Sequence, residues 1–353
     1  MYRGTVWWIA VIYRHRALRV QGNCSNLIAE GILLAMAFRR ISILLIITVA
    51  LTAQAQNVTA ELSKMFSYNS SAPLDLQKRV FDHQPSATIY DIDFASPKDG
   101  RVTGFLVLPT SSGLHPGIVF GHWGQGDRFE FLPEALIYAR AGIASIMIDY
   151  PWVRPQPWRK PLFTAQTSDE QDKETEIQAI VDLRRSFDVL KAQPGIDATR
   201  LAYVGHSFGA QFGAILTAVD KRMAASVLIT GAPSYRTLFL EGKSPDAIAI
   251  QQQAGIEALT KAEKVMSSLD AIRYVPFAAP VPLLFQFAEY EPSFSKEAMQ
   301  SYFDAASRPK AIRWYPAGHE LNDVHAFVDR ALWIADRLKI PALRSEISRQ
   351  FKL

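Results

Sequence analysis

The 353 residues contain a single cysteine, Cys24. An intrachain disulfide is therefore excluded, and so is a metal site built on several thiolates. No G-x-x-x-x-G-K-[ST] stretch occurs, so the backbone phosphate cradle of P-loop nucleotide enzymes is missing. There is no internal repeat and no low-complexity tract, which removes solenoids and fibrous arrays. A surplus of one charge is nearly lacking too: 38 Lys and Arg face 34 Asp and Glu. Residues 1–55 hold six of the basic and one of the acidic side chains, which leaves 32 against 33 beyond them, a balance of −1. The pI near 9.0 is thus set by the leader, and the body of the chain keeps no basic footprint for nucleic acid.

What is present is an ordinary globular composition, 49% apolar and 20% charged, on a chain long enough to bury a full core. The first 55 residues read separately. Met36-Ala-Phe-Arg39-Arg40 is a short basic start, and Ile41 to Leu51 is apolar but for Ser42 and Thr48. Ala53-Gln54-Ala55 then supplies the small residues of a cleavage site. These three parts predict a secretory signal peptide over 36–55, cut after Ala55. The apolar run is shorter than the ~20 residues that cross a bilayer, so no stable membrane association is expected after cleavage. The remaining domain, 56–353, is expected to be exported, to the periplasm or the medium, and a cysteine-free product suits an oxidising compartment. A signal should begin a protein, so Met36 is expected to be the initiator and residues 1–35 a spurious extension.

Beyond a polar lead-in from Gln56 to about Pro85, Ala87–Phe94 and Thr103–Leu108 alternate like strands around the turn Pro97-Lys-Asp-Gly100, an antiparallel hairpin. The pattern then changes. Short apolar strands are predicted at Gly117–Phe120, Ile143–Ile148, Leu201–Val204, Ala225–Ile229, Val281–Phe287 and Ala311–Tyr315. Helices are predicted at Phe129–Ala141, Glu174–Ala192 and Val324–Leu338, the second with Ile177, Ile180, Val181, Leu183, Phe187 and Leu190 on one face. This alternation implies an α/β fold with a mostly parallel central sheet covered by helices on both faces. Two stretches break it, 151–172, rich in Pro, Trp and Arg, and 234–270, a helical insertion. Both follow strands at their carboxyl ends, so both are expected to overhang the ligand edge of the sheet as loops or a small cap.

The chemistry gathers around Gly205-His206-Ser207-Phe208-Gly209, which follows an apolar strand and precedes a helix rich in small residues. This G-x-S-x-G elbow pushes a serine hydroxyl out of a tight turn, where side chains at the glycines would collide with neighbouring elements. Ser207 is the predicted nucleophile, and it needs a base. His319 is the candidate, on the Gly-containing loop after the last strand; His325 falls within the final helix and is expected to be a surface or structural residue. A carboxylate must orient the base. Glu291, just before Pro292, is favoured, with Glu289 as the alternative. Two N–H donors must stabilise an oxyanion. One is expected from Phe208, the other from the Gly-rich loop 121–126, at Trp123 or else Gly124, with His122 bracing that loop. Trp152, Trp158 and Tyr235, with Phe163 and Phe239, are candidate substrate contacts, and Arg154, Arg159 and Lys160 candidate partners for an anionic group.

Together these residues resemble the α/β-hydrolase superfamily. Gly205–Gly209 matches its elbow, His122-Trp-Gly its oxyanion loop, Glu291 its acid and His319 its histidine, in the superfamily's order of serine, acid, histidine. The stretch from Asp182 to Gly213, with Pro194-Gly-Ile-Asp-Ala-Thr-Arg200, resembles the dienelactone-hydrolase-like and acyl-esterase branches. Glu stands where Asp is commoner, and Trp123 where a second glycine is usual. The resemblance spans about Thr88 to Leu338. It implies a serine hydrolase that cleaves small-molecule carboxylic esters through an acyl-enzyme, with no cofactor or metal. A peptidase or amidase of the same fold, or a non-catalytic binding protein, are the alternatives.

Overall fold

Apolar runs with no polar alternation form strands only where both faces of a sheet are covered. That is how the chain is built in the computed structural model, which describes residues 62–352. Nine strands form one sheet: β1 (Gln77–Gln84), β2 (Ala87–Ala95), β3 (Arg101–Pro109), β4 (His115–Gly121), β5 (Ala144–Ile148), β6 (Ile196–His206), β7 (Met223–Ile229), β8 (Leu283–Ala288) and β9 (Lys310–Tyr315). Their order is β1-β2-β3-β5-β4-β6-β7-β8-β9. β4 through β9 run parallel, and β1, β2 and β3 join through antiparallel pairings. The signal peptide and the extension expected before it lie outside the described residues. Among those residues, no helix is long and apolar enough to cross a membrane.

Successive strand residues feed opposite layers. In β6, Leu201 and Tyr203 enter one cluster, with Ile177, Ile180 and Phe187 of α2 (Asp169–Lys191). Ala202 and Val204 enter the other, with Ala135 and Tyr138 of α1 (Leu132–Arg140) and Ala331 and Ile334 of α8 (Val324–Arg337). The α2 helix starts five residues earlier than its apolar stripe predicts. Ser168 and Gln171 form a reciprocal capping box there, and Asp169, Glu170 and Asp172 fill the first turn, where negative charge meets the positive end of the helix dipole.

Two elements were not anticipated. β1 is exposed at every position, so no alternation marks it. It is an edge strand, polar in large part and broken by an irregular register between Val80 and Asp82, features that discourage pairing with other chains. The C-terminal α9 (Pro341–Phe351) buries only Leu343 and Ile347, too narrow a stripe to read.

The sheet order positions the site. From β4 the chain moves outward to β5, then returns through α2 to β6 on β4's other side. Loops leaving β4 and β6 therefore diverge, and the crevice between their carboxyl ends is where open α/β sheets bind ligands. Gly121, which ends β4, pairs there with Gly205 of the elbow. The 234–270 stretch forms α4 (Tyr235–Phe239), α5 (Pro245–Ala254) and α6 (Ile256–Met266), α7 (Lys296–Ala305) joins β8 to β9, and 151–168 is irregular up to the α2 cap.

Candidate active site

The elbow is held by backbone contact. Ser207 has φ 54° and ψ −111°, a strained conformation for a residue with a side chain. Its N–H bonds Ile229 O at 2.8 Å, which anchors the turn to β7. A Cβ at Gly205 would overlap the backbone of Gly209, and one at Gly209 would overlap the carbonyl of Gly121. Only glycine at both positions lets α3 (Phe208–Val219) start this close to β4 and β6.

Three side chains meet above it. The Ser207 hydroxyl lies 2.9 Å from His319 Nε2, and His319 Nδ1 lies 2.7 Å from Glu291 Oε2. A carboxylate only accepts, so Nδ1 carries the proton and Nε2 presents a lone pair to the serine. The Glu291 side chain is 1% exposed and that of His319 17%. Ser293 N–H donates to Glu291 Oε1 at 2.9 Å, so both carboxylate oxygens are engaged. The alternative acid, Glu289, is exposed. Its N–H extends the ladder to Tyr315 O and Tyr290 N–H reaches Ala317 O; the proline that follows Glu291 disfavours a helical backbone there. His325 is exposed and bonds Asp323 at the start of α8, away from the serine.

The expected oxyanion donors divide. Phe208 N–H lies in the first turn of α3, where no intrahelical acceptor exists. Trp123, the first choice for the second donor, is corrected: its N–H already donates to Glu130 Oε2 at 2.8 Å. Gly124, the other choice, packs against the Phe208 ring, where a Cβ would lie 3.1 Å from Cδ2. His122 braces the loop, receiving Tyr150 N–H at Nε2 and donating from Nδ1 to Trp123 O. Burial pushes its imidazole below the usual histidine range, which agrees with a neutral ring that accepts at one nitrogen.

The substrate contacts expected from the insertions also divide. Trp152 donates to Gly124 O at 2.7 Å, and its ring lies 6.0 Å from that of Phe208. Phe163 and Phe239, one from each insertion, pack edge to face at 5.5 Å, and Phe163 also meets Phe208 at 6.4 Å. Trp158 packs instead on Gly100, in the β2–β3 turn on the hairpin side of the sheet. Arg154 is 1% exposed and spent on Asp182 and Asp149 O, and Lys160 bonds Gln178, so neither waits for an anion. Tyr235 is fully buried with its hydroxyl donated to Glu176, which leaves no surface for a substrate.

That last pair carries a pH dependence. Burial pushes the Glu176 carboxyl up to about 8, against the stabilising bond from Tyr235. The folded protein keeps its proton in a range where the unfolded chain has released it. Stability is therefore full below the ordinary glutamate range and falls as pH rises toward 8, by up to about 1.4 kcal/mol per unit. Glu176→Gln has no proton to lose. Thermal melts from pH 5 to 8 should show a downward trend in wild type that is flattened in the variant; parallel trends would contradict the buried neutral acid.

Sequence reasoning missed two residues at the site. His206, inside the elbow, reaches Glu130 at 2.7 Å and the His319 carbonyl at 3.0 Å. Its place in the motif was a signal, but Glu130 lies 76 positions away with nothing in the pattern to pair them.

Residues 60–231, just under half of the chain, match the family model acetyl xylan esterase (AXE1). The chain is similar in structure to the acetyl xylan esterase from Paenibacillus sp. R4, with TM-score 0.67 and 18% identity over 79% of this chain and 93% of that one. It is also similar to acetyl xylan esterase 1 from Thermoanaerobacterium sp. JW/SL YS485, with TM-score 0.65 and 16% identity over 79% and 92%. Over 134 residues it is 28% identical to the bile acid-CoA:amino acid N-acyltransferase of Homo sapiens, a match that spans 38% of this chain and 28% of that protein's length. By its sheet order and these structural likenesses, the chain has the α/β-hydrolase fold, with the G-x-S-x-G turn at the carboxyl edge of its sheet.

Proposed function

We propose that the protein is an exported serine esterase that removes short acyl groups, acetyl first among them, from hydroxyl-bearing substrates such as acetylated glycans. The observation that carries this reading is the contact of Ser207 with His319 at 2.9 Å, backed by Glu291 at 2.7 Å. His319 Nε2 takes the hydroxyl proton as Ser207 Oγ bonds the ester carbonyl carbon. The oxyanion is met by Phe208 N–H at the start of α3. The ester C–O bond breaks, and the alcohol leaves with the proton from His319. Water, deprotonated by the same nitrogen, then releases the acid and restores Ser207. Glu291 holds the Nδ1–H tautomer throughout and offsets the transient imidazolium charge.

The acyl preference rests on Trp152 and Phe163, which both meet the ring of Phe208, the neighbour of the nucleophile, and on Phe239, which packs on Phe163. An aromatic wall beside the hydroxyl favours a compact acyl group. The glycan rests on what the similar esterases are named for, and export on the signal-like residues 36–55. The test is turnover by purified protein of 4-nitrophenyl acetate, butyrate and octanoate, acetylated xylo-oligosaccharides, and peptide anilides. Acetate is expected to exceed octanoate by at least about tenfold in kcat/KM, the scale of a methylene-by-methylene steric preference. Anilide turnover above ester turnover would sink the reading.

A further inference from the structure

We infer that Glu130 and His206 form a second histidine–carboxylate pair, a strut that positions the catalytic histidine loop and the oxyanion loop against the elbow. This rests on the esterase reading of the Ser207 site and adds to it a pair of positioning residues that do not touch substrate. Three loops leave the carboxyl edge of the sheet here, after β4, β6 and β9, and Glu130 joins them. Its Oε2 accepts Trp123 N–H at 2.8 Å in the loop after β4, and its Oε1 faces His206 Nδ1 at 2.7 Å in the elbow. His206 Nε2 lies 3.0 Å from the carbonyl of His319, which also accepts from Thr230 Oγ1 at 2.9 Å. The His206 side chain is 7% exposed and that of Glu130 20%, so water competes little for these bonds.

The chemistry of the partners makes the strut specific. An ionised Glu130 and the His319 carbonyl are both acceptors, so with the carboxylate both bonds form only when His206 donates from each ring nitrogen. Two rings flank it as well: Trp123 near-parallel at 6.4 Å and His319 tilted at 5.4 Å. The carbonyl held by His206 belongs to the residue whose Nε2 must meet Ser207. A shift of that backbone moves the imidazole directly, and an error of about 1 Å in a catalytic geometry costs up to about a hundredfold in rate.

The experiment compares the full chain with Glu130→Ala, Glu130→Gln and His206→Ala. The readouts are 4-nitrophenyl acetate kinetics, thermal midpoint and ring ¹⁵N spectra of histidine-labelled protein. Glu130→Ala and His206→Ala are expected to lower kcat about 10–100-fold, the scale of a displacement of up to about 1 Å in a catalytic geometry, with KM within about twofold. Glu130→Gln should recover most of the loss: its amide oxygen can accept Trp123 N–H while its NH₂ donates to Nδ1 of a neutral His206 that still donates from Nε2. In wild type, both His206 ring nitrogens should give N–H signals, identified by their loss in His206→Ala. A folded Glu130→Ala with wild-type kcat overturns the strut. So does a rise in kcat, which would mean that Glu130 withholds the Trp123 N–H from the oxyanion. A single neutral tautomer of His206 in wild type overturns it as well, even if no ester is turned over. Absent turnover with intact His206 signals would instead remove the esterase reading and leave the strut as an architectural brace.

Discussion

Ser207→Ala is expected to lower kcat on 4-nitrophenyl acetate by about 10⁵–10⁶ while leaving the fold intact, the scale seen when the serine of such a triad is removed. The separation of the two effects follows from how the hydroxyl is used. Ser207 occupies the cap position of α3 but makes no side-chain cap bond. Its hydroxyl meets His319 instead. Alanine therefore forfeits one partly exposed hydrogen bond, worth about 1 kcal/mol, and keeps the backbone bond from residue 207 to Ile229 O. The turn itself is maintained by Gly205 and Gly209, which the substitution does not touch. Fluorophosphonate labelling supplies the second readout, since the reagent forms a covalent bond with an activated serine. Wild type should be labelled stoichiometrically and Ser207→Ala not at all. Well-folded wild type that resists the reagent would favour a binding protein that has kept the fold.

The parts of this architecture that were legible in the chain are those set by local rules. The central strands β5, β7 and β8 and the Leu201–Val204 half of β6 are largely apolar runs because helices cover both faces, and such runs can be read without knowing their neighbours. The elbow was legible because two glycines are demanded by backbone overlap with Gly121 and with the start of α3. Ser207, Glu291 and His319 stand out because each follows a recognisable strand end. What was not legible depends on distant partners. Arg154 looks available in sequence, yet Asp182, on the helix behind it, takes its charge inside the core. Tyr235 looks like a pocket aromatic, yet Glu176 of the same helix claims its hydroxyl. Trp123 suits an oxyanion loop by position, but whether its N–H is free depends on Glu130, which the motif does not contain. β1 was invisible because a strand exposed at every position needs only a neighbour's backbone.

Glu291→Gln should cost about 10⁴ in kcat, whereas Glu289→Gln should stay within about twofold, and the hydrogen-bond donors around the carboxylate say why. Ser293 N–H points at one oxygen of Glu291 and His319 Nδ1 faces the other. In the glutamine variant the backbone donor at Ser293 cannot turn, so the amide oxygen takes that position and the NH₂ group faces Nδ1. An NH₂ group donates, and the imidazole must answer with a lone pair on Nδ1. Its proton then sits on Nε2, aimed at Ser207, and the ring can no longer accept the hydroxyl proton. The fall of about 10⁴ is what a neutral amide in place of the triad acid costs in a serine protease. The variant is nearly isosteric and leaves no unpaired buried charge, so its thermal midpoint should stay close to that of wild type. Glu289 is solvent-exposed beyond the end of β8, and losing its charge acts on His319 only through water, where screening leaves little. A larger loss from Glu289→Gln than from Glu291→Gln would reverse the assignment, and equal, small losses from both would mean that His319 works without a buried carboxylate behind it.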